Sequence, residues 1–372
     1  MHPELGNDLP KTKEAVLESL EGLGLEIVHS LSTSGLVATL HGSGDGPTIL
    51  LRGDMDALPM PEDSGLEFAS KIENRMHACG HDTHTAMLAS AAHLLSKYRG
   101  TFKGKVKFMF QPGEEDPGGA EPMIEEGLLD AGGHPDAAFA IHISPNMPAG
   151  VIASRPGNLL AAADSLFIKL WGQGGHGSMP HEANDPVPVA CEIVQAMQTF
   201  VSRKFGAFEP VVITVGRIAA GTANNIIPEI AEMDVTLRSF SPIVRDRINT
   251  GLNKLVHGVA AAHGMRVEFD LHLGYPPTVN DAGFLEFLRQ TTIKEFGSEA
   301  FFEMPEPVMG AEDFSYVLER MPGAMAFLGV APDDIDPATG PTCHSNRLIV
   351  NEEAMAMGVA AHTAVALNYL NQ

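Results

Sequence analysis

The chain has 372 residues, 44% of them hydrophobic and 19% charged, with a formal net charge of −23. That length exceeds one ordinary core and predicts two domains, while the negative charge repels nucleic-acid phosphates and anionic membranes and excludes both as partners. Three cysteines, Cys79, Cys191 and Cys343, are too sparse and too odd for a disulfide framework and point to a reducing, cytoplasmic setting; no apolar run reads as a membrane span or a signal segment.

Residues 11–24 read as a helix closed by Gly22 and Gly24. The apolar run 48–52 predicts a buried strand that stops at Gly53-Asp54-Met55-Asp56. Apolar residues at 87, 88, 91, 94, 95 and 98 have helical spacing, with Gly100 as the expected C-cap. Val106, Phe108 and Phe110 alternate with Lys105, Lys107 and Met109, a strand ending at Gln111-Pro112-Gly113-Glu114-Glu115. Residues 137–143 form another strand candidate that carries His142. Strands separated by helices imply crossover units and a largely parallel sheet, which binds ligands outside the carboxyl ends of its strands. Asp54, Asp56, Glu114, Glu115 and His142 all fall at such ends.

The rhythm then changes. Strand 165–171, helix 186–203, strands 211–218 and 231–238, helix 243–263 and strand 265–273 give the order β-α-β-β-α-β of a ferredoxin-like unit. After it come helices 281–297 and 312–320, strand 325–330 and a helix over 352–370. The expected fold is therefore an α/β catalytic domain with a mostly parallel sheet, residues 1–159 and 275–372, plus an inserted α+β satellite at 160–274. There is no internal repeat and no low-complexity tract.

Three histidines, a cysteine and an aspartate crowd residues 76–84, Met-His-Ala-Cys-Gly-His-Asp-Thr-His. Thiolate and neutral imidazole are the side chains that hold a transition metal. Alone, a Cys-x-His pair is weak evidence, since a buried cysteine is more often a small hydrophobe. A Glu-Glu pair is ordinarily a solvated loop, a histidine in an apolar strand is usually a satisfied core residue, and His344 in a Pro-Thr-Cys-His-Ser loop is an ordinary loop histidine. Together, however, Cys79, His81, Glu114, Glu115, His142 and His344 bring thiolate, imidazole and carboxylate from four separate loops. That is about what two divalent ions sharing a bridging group require.

These residues resemble the metal-dependent amidohydrolases that include N-acyl-amino-acid aminoacylases, hippurate hydrolase and the auxin-conjugate (indole-acetyl amino acid) hydrolases. The matching segments run through the chain: HPEL at 2–5, RGDMDALP at 52–59, MHACGHDTHT at 76–85, QPGEE at 111–115, AIHISPNMPAG at 140–150, GQGGHGSMPH at 172–181, NNIIPE at 224–229, GAEDF at 310–314 and CHS at 343–345. The wider clan has His-x-Asp where this chain has Arg52-Gly53-Asp54, and the cysteine segment is what the amidohydrolase branch carries instead. The family also has a helix ahead of HPEL, so an element covering this edge of the core is expected either upstream of these residues or lost.

The resemblance implies Cys79, His81, Glu115, His142 and His344 as ligands of two divalent ions per subunit, Zn²⁺, Mn²⁺, Co²⁺ or Ni²⁺. It implies Glu114 as general base and His176, in Gly-Gly-His-Gly-Ser, as the donor that stabilises the tetrahedral oxyanion. Asn225 and Arg238 correspond to binders of the substrate carboxylate, and Gly310 to a close backbone approach. Asp54, Asp56 and Asp82 are acidic residues placed to orient ligands; His77 and His84 are left to support or packing. The implied activity is hydrolysis of N-acyl amino acids by a homodimer or higher oligomer assembled through the satellite. A metallocarboxypeptidase or dipeptidase, an N-acetyl-diaminopimelate deacetylase, and more remotely a non-catalytic metal-binding protein are the alternatives.

Overall fold

The strand Thr48–Asp54 is buried along its whole length, as a continuous apolar run demands of a strand covered on both faces. It lies inside an eight-stranded sheet in the computed structural model, which describes all 372 residues. One unit of the chain comprises Met1–Leu159, Thr278–Pro307 and Asp313–Gln372; the other comprises Leu160–Pro277 and Val308–Glu312. In chain order the elements are α1 (Pro10–Leu20), β1 (Glu26–His29), β2 (Leu36–His41), β3 (Thr48–Asp54), α2 (His81–Lys97), β4 (Lys105–Gln111), α3 (Ala120–Glu125), β5 (Ala137–Pro148), β6 (Ile152–Ser154) and β7 (Gly157–Leu160). The second unit supplies β8 (Ala162–Trp171), β9 (Gly175–His176), α4 (Pro186–Lys204), β10 (Val211–Ala220), β11 (Ile226–Ile227), β12 (Ile230–Ser239), α5 (Pro242–Ala262) and β13 (Arg266–Leu273). The first unit resumes with β14 (Thr278–Asn280), α6 (Ala282–Phe296), β15 (Phe301–Glu303), α7 (Ser315–Leu318), β16 (Gly323–Ala331) and α8 (Met355–Leu370).

The large sheet has the order β1-β2-β4-β3-β5-β16-β6-β15. Its centre, β4-β3-β5-β16, is parallel, and antiparallel pairing returns at β1/β2, β2/β4 and β16/β6. Helix α2 packs on β3 and against α8, and a single apolar cluster runs from Val16 and Leu88 through Phe139 to Val365. The carboxyl ends of β3 and β4 point the same way and lead into the acidic residues, whereas His142 lies in the middle of β5, which runs on to Pro148 instead of ending at His142 as the sequence suggests.

In the second unit β8-α4-β10-β12-α5-β13 follow in the expected ferredoxin-like order, with sheet order β10-β12-β8-β13. Along β12 buried and half-exposed residues alternate strictly, so Met233, Val235 and Leu237 join the core under the helices and Arg238 lies on the opposite face. Val308–Glu312 belongs with this unit, tied by a hydrogen bond from the Ala161 amide to the Gly310 carbonyl (2.8 Å). Periodicity gave no sign of that short return. No helix is long and apolar enough to cross a membrane.

Two further differences from the sequence reading have clear causes. Helix α2 starts at His81, three residues earlier than its apolar spacing, because Gly80 turns the chain at φ 78° and the Thr83 hydroxyl donates to the Gly80 carbonyl; it ends with Tyr98 as C-cap, not Gly100. The helix expected over 312–320 shrinks to Ser315–Leu318, because the Asp313 carboxylate is drawn into a buried network with Arg52 and Gln111. Lys107, which alternates with the apolar residues of β4, is nonetheless fully buried: its ammonium donates to the carbonyls of Leu129 and Gly133, and burial lowers its pKa to about 8. Lys107→Met keeps the stem but leaves both carbonyls without that donor, so a loss of about 1–3 kcal/mol in unfolding free energy is expected. Urea denaturation measures it, and an unchanged midpoint would show that the ammonium is dispensable.

Candidate metal centre

Asp54 and Gln111 stand opposite each other at the ends of β3 and β4, and the loops beyond them carry Asp56, Glu114 and Glu115. The Asp56 carboxylate accepts the Glu114 amide on Oδ1 (2.9 Å) and the Glu115 amide on Oδ2 (3.0 Å). Pinning two successive amides fixes the turn and sends the neighbouring side chains to different partners. Glu114 Oε2 lies 3.9 Å from His81 Nε2; Glu115 Oε1 lies 3.0 Å from His344 Nε2. Asp56 Oδ1 also sits 3.3 Å from His81 Nδ1, so one carboxylate orients both the acidic pair and a histidine.

His81, the first residue of α2, is fully buried. Burial disfavours its charged form, yet the carboxylates of Asp54, Asp56 and Glu115 outweigh that and raise its pKa to about 10. Its Nε2 has no hydrogen-bond partner, although Asp54 Oδ2 is 3.6 Å away. A buried ring nitrogen facing carboxylates without a bonded partner is what a metal ligand looks like before its ion is considered. His142 is oriented in a similar way. Its Nδ1–H donates to the Ile143 carbonyl (2.6 Å) and leaves the Nε2 lone pair 3.3 Å from Cys79 Sγ. His344 has φ 66°, rare for a residue with a side chain, and its amide donates to the Ala78 carbonyl (2.7 Å). That bond lays the 343–345 loop beside Cys79. The Glu115 carboxylate, paired with the ring at 3.0 Å, raises the His344 pKa. The neighbouring Cys343 sulfur and burial push the Cys79 thiol well up, while the influence of Cys79 lowers Cys343 to about 6.

Among the groups of donor atoms that lie within 4.8 Å of one another are Cys79/His81/His142, Cys79/Glu115/His344 and His81/Glu114/Glu115, which overlap. The soft and hard donors together fit borderline divalent ions, and the sharing of Cys79 and His81 between groups makes the set wide enough for two neighbouring ions. All five ligands implied by the resemblance are thus together, with Glu114 beside them.

His84 also approaches Asp54 and His81, but both its nitrogens are committed. Nδ1 donates to Asp54 Oδ1 (2.5 Å) and Nε2 accepts the Ile143 amide (2.8 Å). Burial, with His142 and His81 alongside, lowers its pKa to about 3, so it is a neutral strut and not a ligand. Asp54 is braced from the other side by Arg52 (2.6 Å), whose fully buried guanidinium also donates to Gln111 (2.9 Å) and Asp313 (3.1 Å). Despite burial, which opposes it, Arg52 above all holds the Asp54 carboxyl well below its usual range. Asp313 in turn accepts the amides of Gly119 and Ala120. Sequence reasoning missed the struts His84, Arg52 and Asp313. The available signals were His84 three residues after His81, on the same helix face, and an arginine inside an apolar strand.

Asp82 is corrected. It is exposed, and its carboxylate accepts only the neighbouring Thr83 amide (3.0 Å), so it orients no ligand. His77 lines a separate cavity of about 200 Å³ with Phe68, Met76 and Leu348. In the second unit, His176 and Asn225 are neighbours: β9 pairs His176 with Ile226, and the Gly177 amide donates to the Asn225 carbonyl (2.9 Å). Arg238 is half-buried on the open face of β12, where burial lowers its pKa against the pull of Asp164. Gly310 is exposed.

Residues 50–368 match the model of Peptidase family M20/M25/M40. The chain belongs to this family. It is 38% identical to Thermostable carboxypeptidase 1 of Saccharolobus solfataricus, covering 100% of this chain and 93% of that protein. It is 36% identical to IAA-amino acid hydrolase ILR1-like 2 of Arabidopsis thaliana, covering 100% and 83%. Among solved structures it is similar to the Bacillus subtilis YXEP protein, described as a dinuclear metal binding peptidase from M20 family, with a TM-score of 0.85 at 31% identity over 100% of this chain and 95% of that one.

For this M20 chain the Cys79–His81 turn is the most constrained part of the centre. A Cβ on Gly80 would come within 2.2 Å of Ile143 Cδ1 at a φ of +78°. Gly80→Ala therefore adds a clash to a backbone cost of about 1–2 kcal/mol. Metal analysis after desalting should show severalfold lower metal content, with a lower Tm; full occupancy would mean that the turn tolerates a side chain at this position.

Proposed function

We propose that the chain hydrolyses the amide bond of N-acyl amino acids, releasing a free amino acid and a carboxylic acid, with Cys79, His81, Glu115, His142 and His344 holding two divalent ions and Glu114 as general base. The observation that carries this reading is the divergence of the Glu pair. One carboxylate reaches His344 at 3.0 Å while its neighbour stays buried at 3.9 Å from His81, which separates a ligand from a proton carrier. The ions, when bound, would lower the pKa of a water at the site. Glu114 removes the proton of the attacking water and returns it to the departing amine. Asp56 keeps Glu114 in place through its amide.

His176 is proposed as the donor to the oxyanion. Its Nδ1 accepts the Ser178 amide (3.1 Å), which leaves the second ring nitrogen to carry a proton. Arg238 and Asn225 are proposed to bind the substrate carboxylate, for which a guanidinium is well suited. We further propose a cytoplasmic homo-oligomer assembled through the satellite, whose open sheet face exposes Phe167.

The relative named an IAA-amino acid hydrolase supports the acyl-amino-acid reading, and the one named a carboxypeptidase supports a peptide substrate on the same machinery. A panel of N-acetyl, N-benzoyl and indole-acetyl amino acids set against dipeptides separates the two; faster turnover of dipeptides would reverse the preference. Glu114→Gln should retain its metal and lose about 10²–10⁴-fold in kcat. Normal turnover with metal bound would remove Glu114 from its role. Chelation should abolish turnover, and added divalent metal should restore it.

A further inference from the structure

We infer that Cys79 and Cys343 are a site of reversible disulfide formation, through which a hydroperoxide withdraws Cys79 from the metal centre. The inference rests on the reading of Cys79 as a ligand. The peptide joining Cys343 to His344 is hydrogen-bonded to the peptide joining Ala78 to Cys79, His344 amide to Ala78 carbonyl at 2.7 Å, so the two cysteines flank one backbone bond between their chain segments. A modest approach brings such a pair to an S–S bond of about 2 Å. The positions are also unequal in the way a redox pair needs. Cys343 is partly exposed, whereas Cys79 is buried with 8% of its surface accessible, so a small oxidant meets Cys343 first. Cys343 is in none of the donor groups that could hold an ion, so its oxidation by itself removes no ligand. Cys191, the remaining cysteine, is exposed on α4 in the other unit.

The chemistry balances with a hydroperoxide as the oxidant. The Cys343 sulfur attacks the peroxide oxygen, the O–O bond breaks, and Cys343 becomes a sulfenic acid as water or an alcohol leaves. The Cys79 sulfur then attacks the Cys343 sulfur, the S–O bond breaks, and hydroxide leaves with the thiol proton as water. Both thiols are oxidised by two electrons in total, and one peroxide is reduced. A disulfide sulfur is a poor donor compared with a thiolate, so the ion that Cys79 helps to hold is released.

The test treats metal-loaded protein carrying Cys191→Ser with hydrogen peroxide and follows three readouts: peptide mass mapping, metal released into the filtrate, and activity. A peptide pair joining Cys79 to Cys343, lighter by two hydrogens than its separate parts, is expected together with metal release; dithiothreitol and added metal should reverse both. Cys343→Ser in the same background should keep its basal activity, form no cross-link, and release metal roughly tenfold more slowly. Absence of the Cys79–Cys343 peptide, or equal metal release from the Cys343→Ser protein, would overturn the disulfide itself. A cross-linked protein that keeps its metal would overturn the proposal by a different route, by showing that Cys79 is not a ligand.

Discussion

The centre depends on one carboxylate that does no chemistry. Asp56 spends its two oxygens on the amides of Glu114 and Glu115 and still lies 3.3 Å from His81. Adjacent residues in a flexible loop would let both glutamates turn toward the same cation. With their amides fixed, the two side chains diverge, and the roles of ligand and base follow from backbone geometry. The same device ties the end of β3 to the start of α2, so the sheet and the helix set the site jointly.

A second constraint is electrostatic. Asp54, Asp56 and Glu114 are all buried, and burying that much negative charge is costly unless cations answer it. Arg52 answers part of it permanently by bonding Asp54 and Asp313. His84 adds a neutral donor to Asp54. The rest of the charge faces His81, whose pKa rises to about 10 in response. A proton on His81 and an ion on its Nε2 satisfy the same carboxylates, so metal binding at neutral pH should expel that proton.

Much of this was legible in the sequence where one local pattern fixes one structure. The buried run of β3, the β-α-β-β-α-β order of the satellite and the loops after β3 and β4 follow from periodicity and glycine punctuation, and the ligand set follows from motif resemblance. What stayed hidden depends on contacts between distant residues. Lys107 alternates like a solvent-facing residue, and only the carbonyls of Leu129 and Gly133 make its burial tolerable. Asp313 sits in a stretch with helical character, yet Arg52 and Gln111 pull its carboxylate out of any helix. His84 looks like helix packing until Asp54 and the Ile143 amide are seen to occupy both its nitrogens. Asp82 erred the other way: its acidity beside His81 in sequence suggested a partner, but in the first turn of α2 it points to solvent. Short β1 and β2 lack the alternation that marks a strand; β2 pairs along the edge of β4, and β1 pairs in turn along β2.

The most direct measurement is anomalous X-ray diffraction from crystals of the protein loaded with a transition metal. Two neighbouring peaks are expected, with Cys79 Sγ, His81 Nε2, His142 Nε2 and His344 Nε2 and a Glu115 oxygen as their protein ligands, and with Glu114 close but not bound. His84 should still bridge Asp54 and the Ile143 amide. An ion coordinated by His84, or peaks that leave Cys79 and His344 without metal, would contradict this centre.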